Sequence, residues 1–501
     1  MYYRLSGATA LALILSAQTG LALTPEEAWA GWQSMTTAAG QTMTTTGTAR
    51  EGDTLVVSGI SVGMTVPDGP VISSTIPEVR FRDRGDGSVE IIYPAAYDVK
   101  LADPDGTGGA TLVVGQEGLS VIGSGTADAP KYDFTAKTLT VTAKEVTDAD
   151  GKPVDLTGGL TASDLTGSYV ATPASGGQSY ESSFAAGNMV LTLKANEPEQ
   201  NTAFDINMTV AEPKFSGKST MVDPVLMQSG NMSAALAAGF MVDGSYSTGA
   251  IGLKVDGTES GKPGQVEASI AGSQAHIVLN ADRLDYGAGL SATSVKASGF
   301  DIPFPEVSGA FGELSYGIAM PVSKATEPQD FSVLFKLVDL TMAEDLWGMF
   351  DPGAALKRDP VTVILDLDGK GAWAVDILDP NVQLDGPELP AKVFSLDLTQ
   401  VLAKAAGAQV AATGALTFDN DDLMSYGGFP SPVGKITVTL DGINALLDAL
   451  VAIGAVSQDD LMGARMGLAM MAKPGAGPDQ LISEIEFRAG GSLFVNGTQM
   501  K

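Results

Sequence analysis

The stretch Met189-Val190-Leu191-Thr192-Leu193-Lys194, followed by Phe204-Asp205-Ile206-Asn207-Met208-Thr209-Val210, decides the fold class of this chain. In both segments apolar and polar side chains largely alternate. A period of two places successive side chains on opposite faces of a β-strand. The pattern therefore predicts antiparallel strands with one buried face and one face in water.

The same alternation recurs along the chain, at residues 88–93, 138–142, 361–367 and 435–440. Asp-Gly and Asn-Gly pairs punctuate it, because these residues accept the positive φ angles of hairpin turns; they stand at Asp86-Gly87, Asp150-Gly151, Asp368-Gly369 and Asn496-Gly497. We therefore expect a mainly β protein with a few helices (α+β). Its architecture would be an extended, curved antiparallel meander or half-barrel on which amphipathic helices pack.

One predicted helix follows Thr24-Pro25-Glu26-Glu27, which has the residues of a capping box. Trp29, Trp32 and Met35 follow at spacings of three and form a stripe that would dock on the sheet. Further helices are expected at residues 225–240, 342–350, 444–453 and 457–472.

The last of these helices has more apolar surface than one packed face requires. Leu461, Ala464, Leu468 and Met471 form one face, and Met462, Met466 and Met470 form the next. Methionine is common at adaptable binding surfaces. Two interpretations remain open: a helix buried in the mouth of the sheet, or a helix that faces a ligand. For the second, the candidate ligand-binding residues are Leu461, Met462, Met466, Leu468 and Met470.

The first 22 residues have the pattern of a secretory signal peptide. Arg4 precedes an apolar run over residues 7–17, and small residues lead to Ala22. The run is about half of the roughly 20 residues that a membrane-spanning helix needs, so we expect cleavage and no permanent membrane anchor. With no cysteine in the chain, the signal peptide suggests a periplasmic or secreted protein that folds without disulfides.

The charge of the chain excludes one class of partner. The formal net charge is −30, from 59 acidic and 29 basic residues. Such a field repels phosphate backbones, so nucleic-acid binding is not expected. The acidity either keeps a glycine-rich exported chain soluble or attracts cations and basic partners.

Catalytic and metal-binding patterns are sparse. His276 is the only histidine, and without cysteine the usual zinc ligand sets cannot form. We found no nucleophile elbow to accompany His276, which is more simply a strand residue. The acidic loops lack the ligand spacing of an EF-hand; the densest cluster, Asp419-Asn420-Asp421-Asp422, is either a turn or a weak cation site. We expect no enzyme activity, no metal and no cofactor.

Nearly the whole chain after the signal peptide resembles a known family. The opening Leu23-Thr24-Pro25-Glu26-Glu27-Ala28-Trp29 and the terminal Gly490-Gly491-Ser492-Leu493-Phe494-Val495-Asn496-Gly497 fit that family, and a central block is the most specific part. The block Asp345-Leu346-Trp347-Gly348-Met349-Phe350-Asp351-Pro352-Gly353, with Lys357-Arg358-Asp359-Pro360 after it, is similar to the proteobacterial family called domain of unknown function 2125. That resemblance implies no activity. We interpret the block as a packed corner in which Trp347 and Phe350 face the sheet, with Arg358 and Asp359 as a charge pair. A weaker likeness, to domain of unknown function 945 and AsmA-like envelope proteins, would imply envelope maintenance or lipid handling.

Two function classes follow from these observations. The first is a periplasmic module that binds or carries a hydrophobic, lipid-like ligand in a groove closed by the methionine-rich helix. The second is a structural or protein-interaction scaffold of the cell envelope; a hydrolase is a distant third. We expect a signal peptide at 1–22, a β-rich region with the N-terminal helix at 23–215, and a second β-rich region at 216–501, or one continuous sheet.

Overall fold

The computed structural model of the protein describes residues 22–38, 40–66, 69–104, 106–174, 177–382 and 390–501. The signal peptide expected over residues 1–22 lies almost wholly outside these ranges. Over the described residues the chain is mainly β, with one large antiparallel sheet and few helices. The predicted fold class is confirmed.

The first half of the sheet contains both short and long strands. They are β1 (Thr42–Thr44), β2 (Gly47–Glu51), β3 (Thr54–Thr65), β4 (Val71–Asp83), β5 (Val89–Ile92), β6 (Ala96–Ala102), β7 (Gly109–Glu117), β8 (Ser120–Thr126), β9 (Ala129–Thr147), β10 (Asp155–Ala174), β11 (Gly177–Ala185), β12 (Asn188–Glu197), β13 (Thr202–Ala211), β14 (Lys214–Val222), β15 (Met241–Thr248) and β16 (Ile251–Glu259).

The second half is mostly a plain meander of long strands. They are β17 (Lys262–Leu279), β18 (Arg283–Gly299), β19 (Val307–Pro321), β20 (Gln329–Met342), β21 (Val361–Trp373), β22 (Ala391–Ala405), β23 (Ala408–Asp419), β24 (Ser431–Asp441), β25 (Lys473–Pro474), β26 (Gln480–Arg488), β27 (Ser492–Val495) and β28 (Thr498–Gln499).

Helices are few and short in the described chain. They are α1 (Pro25–Ala38), α2 (Pro224–Gln228), α3 (Met232–Ala237), α4 (Glu344–Trp347), α5 (Ile443–Ala452) and α6 (Gln458–Met471), with a 3₁₀ turn at Pro198–Gln200.

Strand pairing joins these elements into one continuous ladder. From β3 to β26 the described ladder has eighteen strand rows, each made of one strand or of two strands in line. Thirteen rows are single strands, and five consist of two collinear strands: β6 with β5, β7 with β8, β12 with β11, β13 with β14, and β16 with β15. At about 4.8 Å between neighbouring rows, this ladder is about 80 Å long. The division considered at residues 215–216 falls inside β14, which pairs with both β11 and β15.

A single line of backbone irregularities, which we call the crease, crosses the ladder perpendicular to the strands. It passes through Gly59, Asp164, Ala292 and Asp339, all with positive φ between 39° and 58°. In the collinear rows it coincides with the junction between the two strands, as between β11 and β12 at Gly187. A left-handed residue is costly unless the surrounding structure requires it. Its recurrence on one line from β3 to β20 indicates a property of this part of the sheet and not of single strands.

The crease shifts the alternation of side chains by one residue. In β18 the apolar residues are Leu284, Tyr286, Ala288 and Leu290 on one side of Ala292, and Val295 and Ala297 on the other, where the buried Thr293 continues the same alternation. The shift keeps the apolar residues of both halves on the same side of the sheet. Their contact shows this: Ala162 on one side of the crease and Leu165 and Ala136 on the other share one buried cluster.

The densest core lies at the N-terminal end of the sheet, beneath α1. Phe81 and Val57 are fully buried there. The ring centroids of Trp29 and Phe81 are 5.8 Å apart, and Trp32 packs on the same cluster, whereas Met35 is 38% exposed. The capping box forms as predicted, because the Glu27 N–H donates to Thr24 Oγ1 at 3.2 Å and the Thr24 N–H donates to Glu27 Oε2 at 2.9 Å.

Two predicted helices differ from the structure. The helix expected at 225–240 is two helices, α2 and α3, because Gly230 has a φ of 71° and Asn231 caps α3 through its side chain. The helix expected at 342–350 is only α4, because β20 continues to Met342 and the chain turns after Gly348. The pair expected at 444–453 and 457–472 is confirmed as α5 and α6, with the Asp460 N–H donating to Ser457 Oγ at 3.1 Å.

One predicted turn is wrong. Asp368-Gly369 lies in the middle of β21, paired with β20 and β22. Gly369 stands there because the ring of Phe331 occupies the space where a Cβ would project. The other Asp-Gly and Asn-Gly pairs named above do lie at turns or bends.

Candidate functional site

The sheet has one apolar face, defined by two rows of cross-strand partners on either side of the crease. The first row is Tyr97, Val114, Val141, Leu160, Leu191, Met208, Leu253, Ala268, Val295, Gly309 and Met342. The second row is Phe134, Gly167, Phe184, Phe215, Tyr246, Ala275, Ala288, Tyr316, Phe335, Leu365 and Val401. Charged side chains are absent from both rows.

Large side chains on this apolar face are exposed to solvent. Phe215 is 44% exposed, Tyr316 is 46% and Phe335 is 37%. Tyr246, Ile277, Val295 and Ile318 on the same face are exposed between 36% and 43%. Contiguous exposed apolar surface on this scale marks a binding surface more often than a free one.

Helices cover the apolar face only at particular places. Helix α1 contacts β1, β3 and β4. Helix α3 contributes Ala235 and Leu236 to a second buried cluster, with Val222, Phe240 and Val322, and Leu226 and Met227 of α2 pack against it. Over the strands between these clusters, the described chain places no second layer on the face.

The opposite face is polar and rich in serine. Ser168, Ser183, Ser216, Ser245 and His276 are successive cross-strand partners. They line a shallow hollow of about 820 Å³ that also includes Thr166 and Lys214. The hydroxyls bond one another, with Ser168 and Ser183 Oγ atoms 2.9 Å apart and Ser216 and Ser245 Oγ atoms 2.8 Å apart. The serine hydroxyls therefore have hydrogen-bond partners on neighbouring strands, and we interpret the row as part of the sheet surface.

His276 lies at the end of this serine row. Its Nε2 is 3.0 Å from Asp285 Oδ1, and Asp285 also pairs with Arg283. Ser245 is its cross-strand partner, but among the described residues no hydrogen bond joins a serine hydroxyl to the imidazole. The geometry is that of an exposed strand histidine, as its sequence context predicts.

Tyrosines gather on the apolar side near α1. Burial raises the pKa of Tyr93 to about 12, and neighbouring Tyr97 and Tyr132 contribute to the rise. Burial also raises the pKa of Tyr169 to about 12. The rings of Trp32 and Tyr93 lie 5.9 Å apart, and those of Tyr132 and Tyr169 lie 6.5 Å apart. These phenols therefore stay neutral well above physiological pH.

The candidate residues of α6 lie together on one helix but divide between its two sides. Leu461 is buried and Leu468 is half-buried. Met462, Met466 and Met470 are 68%, 60% and 67% exposed and form one stripe at spacings of four. Arg465, between these methionines in the sequence, ties α6 to α5 through Asp448 at 2.8 Å.

The Trp347 to Pro360 block is a packed corner, as predicted, with different partners. Asp351, whose side chain is fully buried, accepts N–H bonds from Ala355 at 2.9 Å and Leu356 at 2.8 Å. Arg358 pairs with Asp351 at 2.5 Å and with Glu344 at 3.0 Å, instead of with Asp359. The Arg358 guanidinium, together with these N–H groups, holds the pKa of Asp351 below its usual value.

The aromatic rings of the block point differently from our expectation. Phe350 is 49% exposed, so it does not face the sheet. Its ring lies 5.0 Å from that of Trp347, and the Arg358 guanidinium covers Trp347 at 4.6 Å from the ring centroid. The corner is thus organised around the buried carboxylate.

No metal centre emerges from the described residues, where no group of three or more acidic or histidine side chains is placed to hold an ion. The cluster from Asp419 to Asp422 forms local turns: Asp419 Oδ1 accepts from the Asp421 N–H at 3.0 Å, and Asp422 Oδ1 accepts from the Ser425 N–H at 3.0 Å. Within the same described ranges, no helix is both long and apolar enough to span a membrane.

Sequence reasoning missed the largest candidate surface. It located the methionine-rich helix but not the two apolar rows of the sheet. Most of their members could be read as apolar positions of single strands. Only the strand register, which is non-local, aligns them into one surface.

Comparison with known proteins shows a family match. The model of the family DUF2125, described as "Uncharacterized protein conserved in bacteria", matches residues 223–498, more than half of the chain. The matched segment includes the Trp347 to Pro360 block, and the opening Leu23 to Trp29 lies outside it. No curated protein and no solved structure matches the chain. The weaker likeness to domain of unknown function 945 and AsmA-like proteins receives no support from these comparisons.

Proposed function

Because this chain belongs to DUF2125, an uncharacterized family conserved in bacteria, we propose its function from the geometry of its sheet. The protein is a non-enzymatic module that binds or carries a hydrophobic, lipid-like ligand. The ligand lies against the apolar face of the sheet, with its apolar part on the two rows described above.

The observation that carries this proposal is the exposure of the apolar face between the covered clusters. Phe215 and Tyr246 are cross-strand neighbours, as are Tyr316 and Phe335, and all four are more than a third exposed. Only Ala275 and Ala288 stand between the two pairs in the same row. Removing apolar area from water is worth about 25 cal/mol per Å², so such a face gains from any apolar cover. An acyl chain supplies that cover without a need for hydrogen-bond partners.

The compartment we propose is the periplasm or the exterior of the cell. The support is the signal-peptide pattern of residues 1–22 and the absence of cysteine from the chain. An exported carrier of this kind would work at the cell envelope, where acyl-chain ligands are abundant. No nucleic acid is expected as a partner of a chain with a net charge of −30.

The first experiment is purification of the full chain without detergent, followed by organic extraction and mass spectrometry. The test variant is Phe335→Ser on the apolar face. The control is Leu334→Ser, its neighbour in β20, whose cross-strand partners Gly317 and Asp366 lie on the serine-rich side. Both changes remove a large apolar side chain from the same strand.

We expect stoichiometric lipid or acyl species with the wild type and with Leu334→Ser, and at most a tenth as much with Phe335→Ser. Circular dichroism checks that all three proteins are folded. A folded, ligand-free wild type that also fails to take up added lipid would refute the proposal.

The role of α6 as a closing helix remains a prediction. Its test is Met466→Asp in the same extraction, since Met466 is 60% exposed and the change should leave the fold intact. Loss of the extracted lipid would place the methionine stripe at the ligand. Retention would limit the site to the sheet.

The second candidate function is an envelope scaffold that binds proteins. It is favoured by the same methionine stripe on α6, which no described part of the chain covers. Cross-linking in the periplasm, with a photoreactive residue at Met462, distinguishes the two. A single protein partner captured from a lipid-free chain would support the scaffold.

A further inference from the structure

We propose that the apolar face contains a defined binding site for the end of one hydrocarbon chain, a hollow between β19, β20, β21 and β22. This inference rests on the proposed function and specifies which part of the ligand is recognised there. The hollow has a volume of about 250 Å³, and its lining includes Ile318, Met320, Phe331, Val333, Trp373 and Val393. We call it the Trp373 hollow.

The walls of the Trp373 hollow are fixed by neighbouring contacts. The Trp373 indole Nε1–H donates to the Pro321 carbonyl oxygen at 2.8 Å, which sets the ring orientation. Next to Pro321, Val322 is buried in the cluster against which Ile377 and Leu378 pack. A hollow with fixed walls is already formed before a ligand arrives, so little ordering cost opposes binding.

The floor of the hollow depends on glycine. The Phe331 ring occupies the space over Gly369, and a Cβ on Gly371 would lie 3.5 Å from Phe331 Cδ1. The two missing side chains let the ring lie flat against the backbone of β21. The result is a recess in a face that elsewhere projects large side chains.

The size and chemistry of the hollow select the occupant. Its 250 Å³ is below the roughly 300–1,000 Å³ of sites that enclose a whole small ligand, so it holds one part of a ligand. The six side chains named above are apolar, so a charged or hydrogen-bonding group would lose its hydration among them without compensation. A second copy of the chain is disfavoured because each copy has a net charge of −30.

The hollow is also continuous with the open part of the apolar face. Ile318 and Val333 are cross-strand partners, and Ile318 pairs with Tyr286, which pairs with Ile277. A hydrocarbon chain that lies along these side chains reaches the hollow without crossing a charged residue. Its terminal methyl group is then the part that enters.

The test uses alkyl maltosides below their micelle concentration, with a bromine atom either on the terminal carbon or in the middle of the chain. Bromine quenches nearby tryptophan fluorescence. Of the four tryptophans in the chain, only Trp373 lines the hollow. We expect the terminal bromine to quench at least twice as strongly as the central one, and Trp373→Phe to abolish that difference.

A second variant tests the binding site without removing the reporter. Val393→Phe fills the hollow, and Val278→Phe makes the same change on the opposite face, where the cross-strand partners of Val278 are Asp243 and Asp285. Each methylene group of the alkyl chain that becomes buried should raise the affinity about fourfold. We expect Val393→Phe to lower the affinity for a dodecyl chain at least tenfold, and Val278→Phe to change it less than threefold.

The outcomes separate the inference from the proposed function. Binding with equal quenching by both bromine positions, or unchanged by Val393→Phe, refutes the binding site in the hollow and leaves the binding face intact. Failure of every maltoside and of added lipid to bind the folded protein refutes both.

Discussion

Two phenylalanines on the apolar side of the sheet test whether the face is open. Phe81 is fully buried under α1, between Trp29 and Trp32, at centroid distances of 5.8 Å and 6.2 Å. Phe215 is 44% exposed and has no helix over it in the described chain. The perturbation is the same in both places: Phe81→Ala and Phe215→Ala.

The structure predicts different costs for the two changes. Truncating Phe81 removes its apolar burial and leaves a cavity, so the free energy of unfolding should fall by about 3–5 kcal/mol. Truncating Phe215 leaves no cavity, since water reaches the site. Only about half of the roughly 1.5–3 kcal/mol transfer energy of a buried large side chain is lost, which gives about 1 kcal/mol.

Urea unfolding of lipid-free protein, followed by far-ultraviolet circular dichroism, measures both values on one scale. Tryptophan fluorescence is unsuitable because Trp29 and Trp32 contact Phe81 directly. The denaturant slope should be the same for both variants, which shows that the same structure unfolds. Equal costs for Phe81→Ala and Phe215→Ala would refute the reasoning, because Phe215 would then be covered in the folded molecule.

Three other predictions concern single residues. Asp351→Asn should lower the urea midpoint of unfolding far more than Asp359→Asn, because Asp351 is the buried acceptor of the corner. The pKa of Asp351 is lowered in the folded protein, so the difference between the two variants should shrink as the pH falls below the ordinary aspartate pKa. A difference that grows on acidification would contradict this assignment. Tyr93→Phe should remove a phenolate absorbance step near pH 12 from the titration of the folded protein. Because the pKa of Tyr93 is raised by folding, its contribution to stability is complete below about pH 10 and is lost between about pH 10 and 12. Ionisation of Tyr93 near pH 10 in the folded protein would count against its burial. Gly158→Ala should destabilise the sheet in thermal unfolding, because Gly158 has a φ of 114° and a Cβ would overlap the Thr192 carbonyl oxygen; an unchanged melting temperature would show that β10 and β12 are not paired this way.

The strands could be predicted from sequence because alternation is a local signal. Residues 204–210 alternate without a break, and the structure pairs them on both sides, with β12 and β16. The turn assigned to Asp368-Gly369 failed for the opposite reason. Val363, Leu365, Leu367 and Gly369 continue one alternation, and the apolar positions outweigh the turn preference of the dipeptide.

The crease was not predicted, although several long strands carry its trace. In β10 the apolar positions change parity between Ala162 and Leu165, around Asp164 with a φ of 52°. Within one strand such a slip is indistinguishable from an imperfect pattern. It becomes meaningful only when neighbouring strands slip at the same place, and that alignment requires the register of the whole sheet.

The α6 residues show the limit of a helical pattern. The sequence indicated an apolar surplus, and the surplus exists as the exposed stripe of Met462, Met466 and Met470. It did not indicate which way the stripe faces, because that depends on the position of α5 and on the Arg465–Asp448 pair. The orientation of a helix on a sheet is a tertiary property.

The crease has a consequence for how sequences of this kind can change in length. Gain or loss of one residue within a long strand reverses the faces of every side chain from that point to the strand end. A change beside Ala292 in β18 would turn either Tyr286 or Val295 to the serine-rich face. Insertions and deletions should therefore be confined to the connections between rows, and within strands they should occur two residues at a time. In an alignment of bacterial relatives, the number of residues between the crease and each end of a strand should therefore stay constant or change by two.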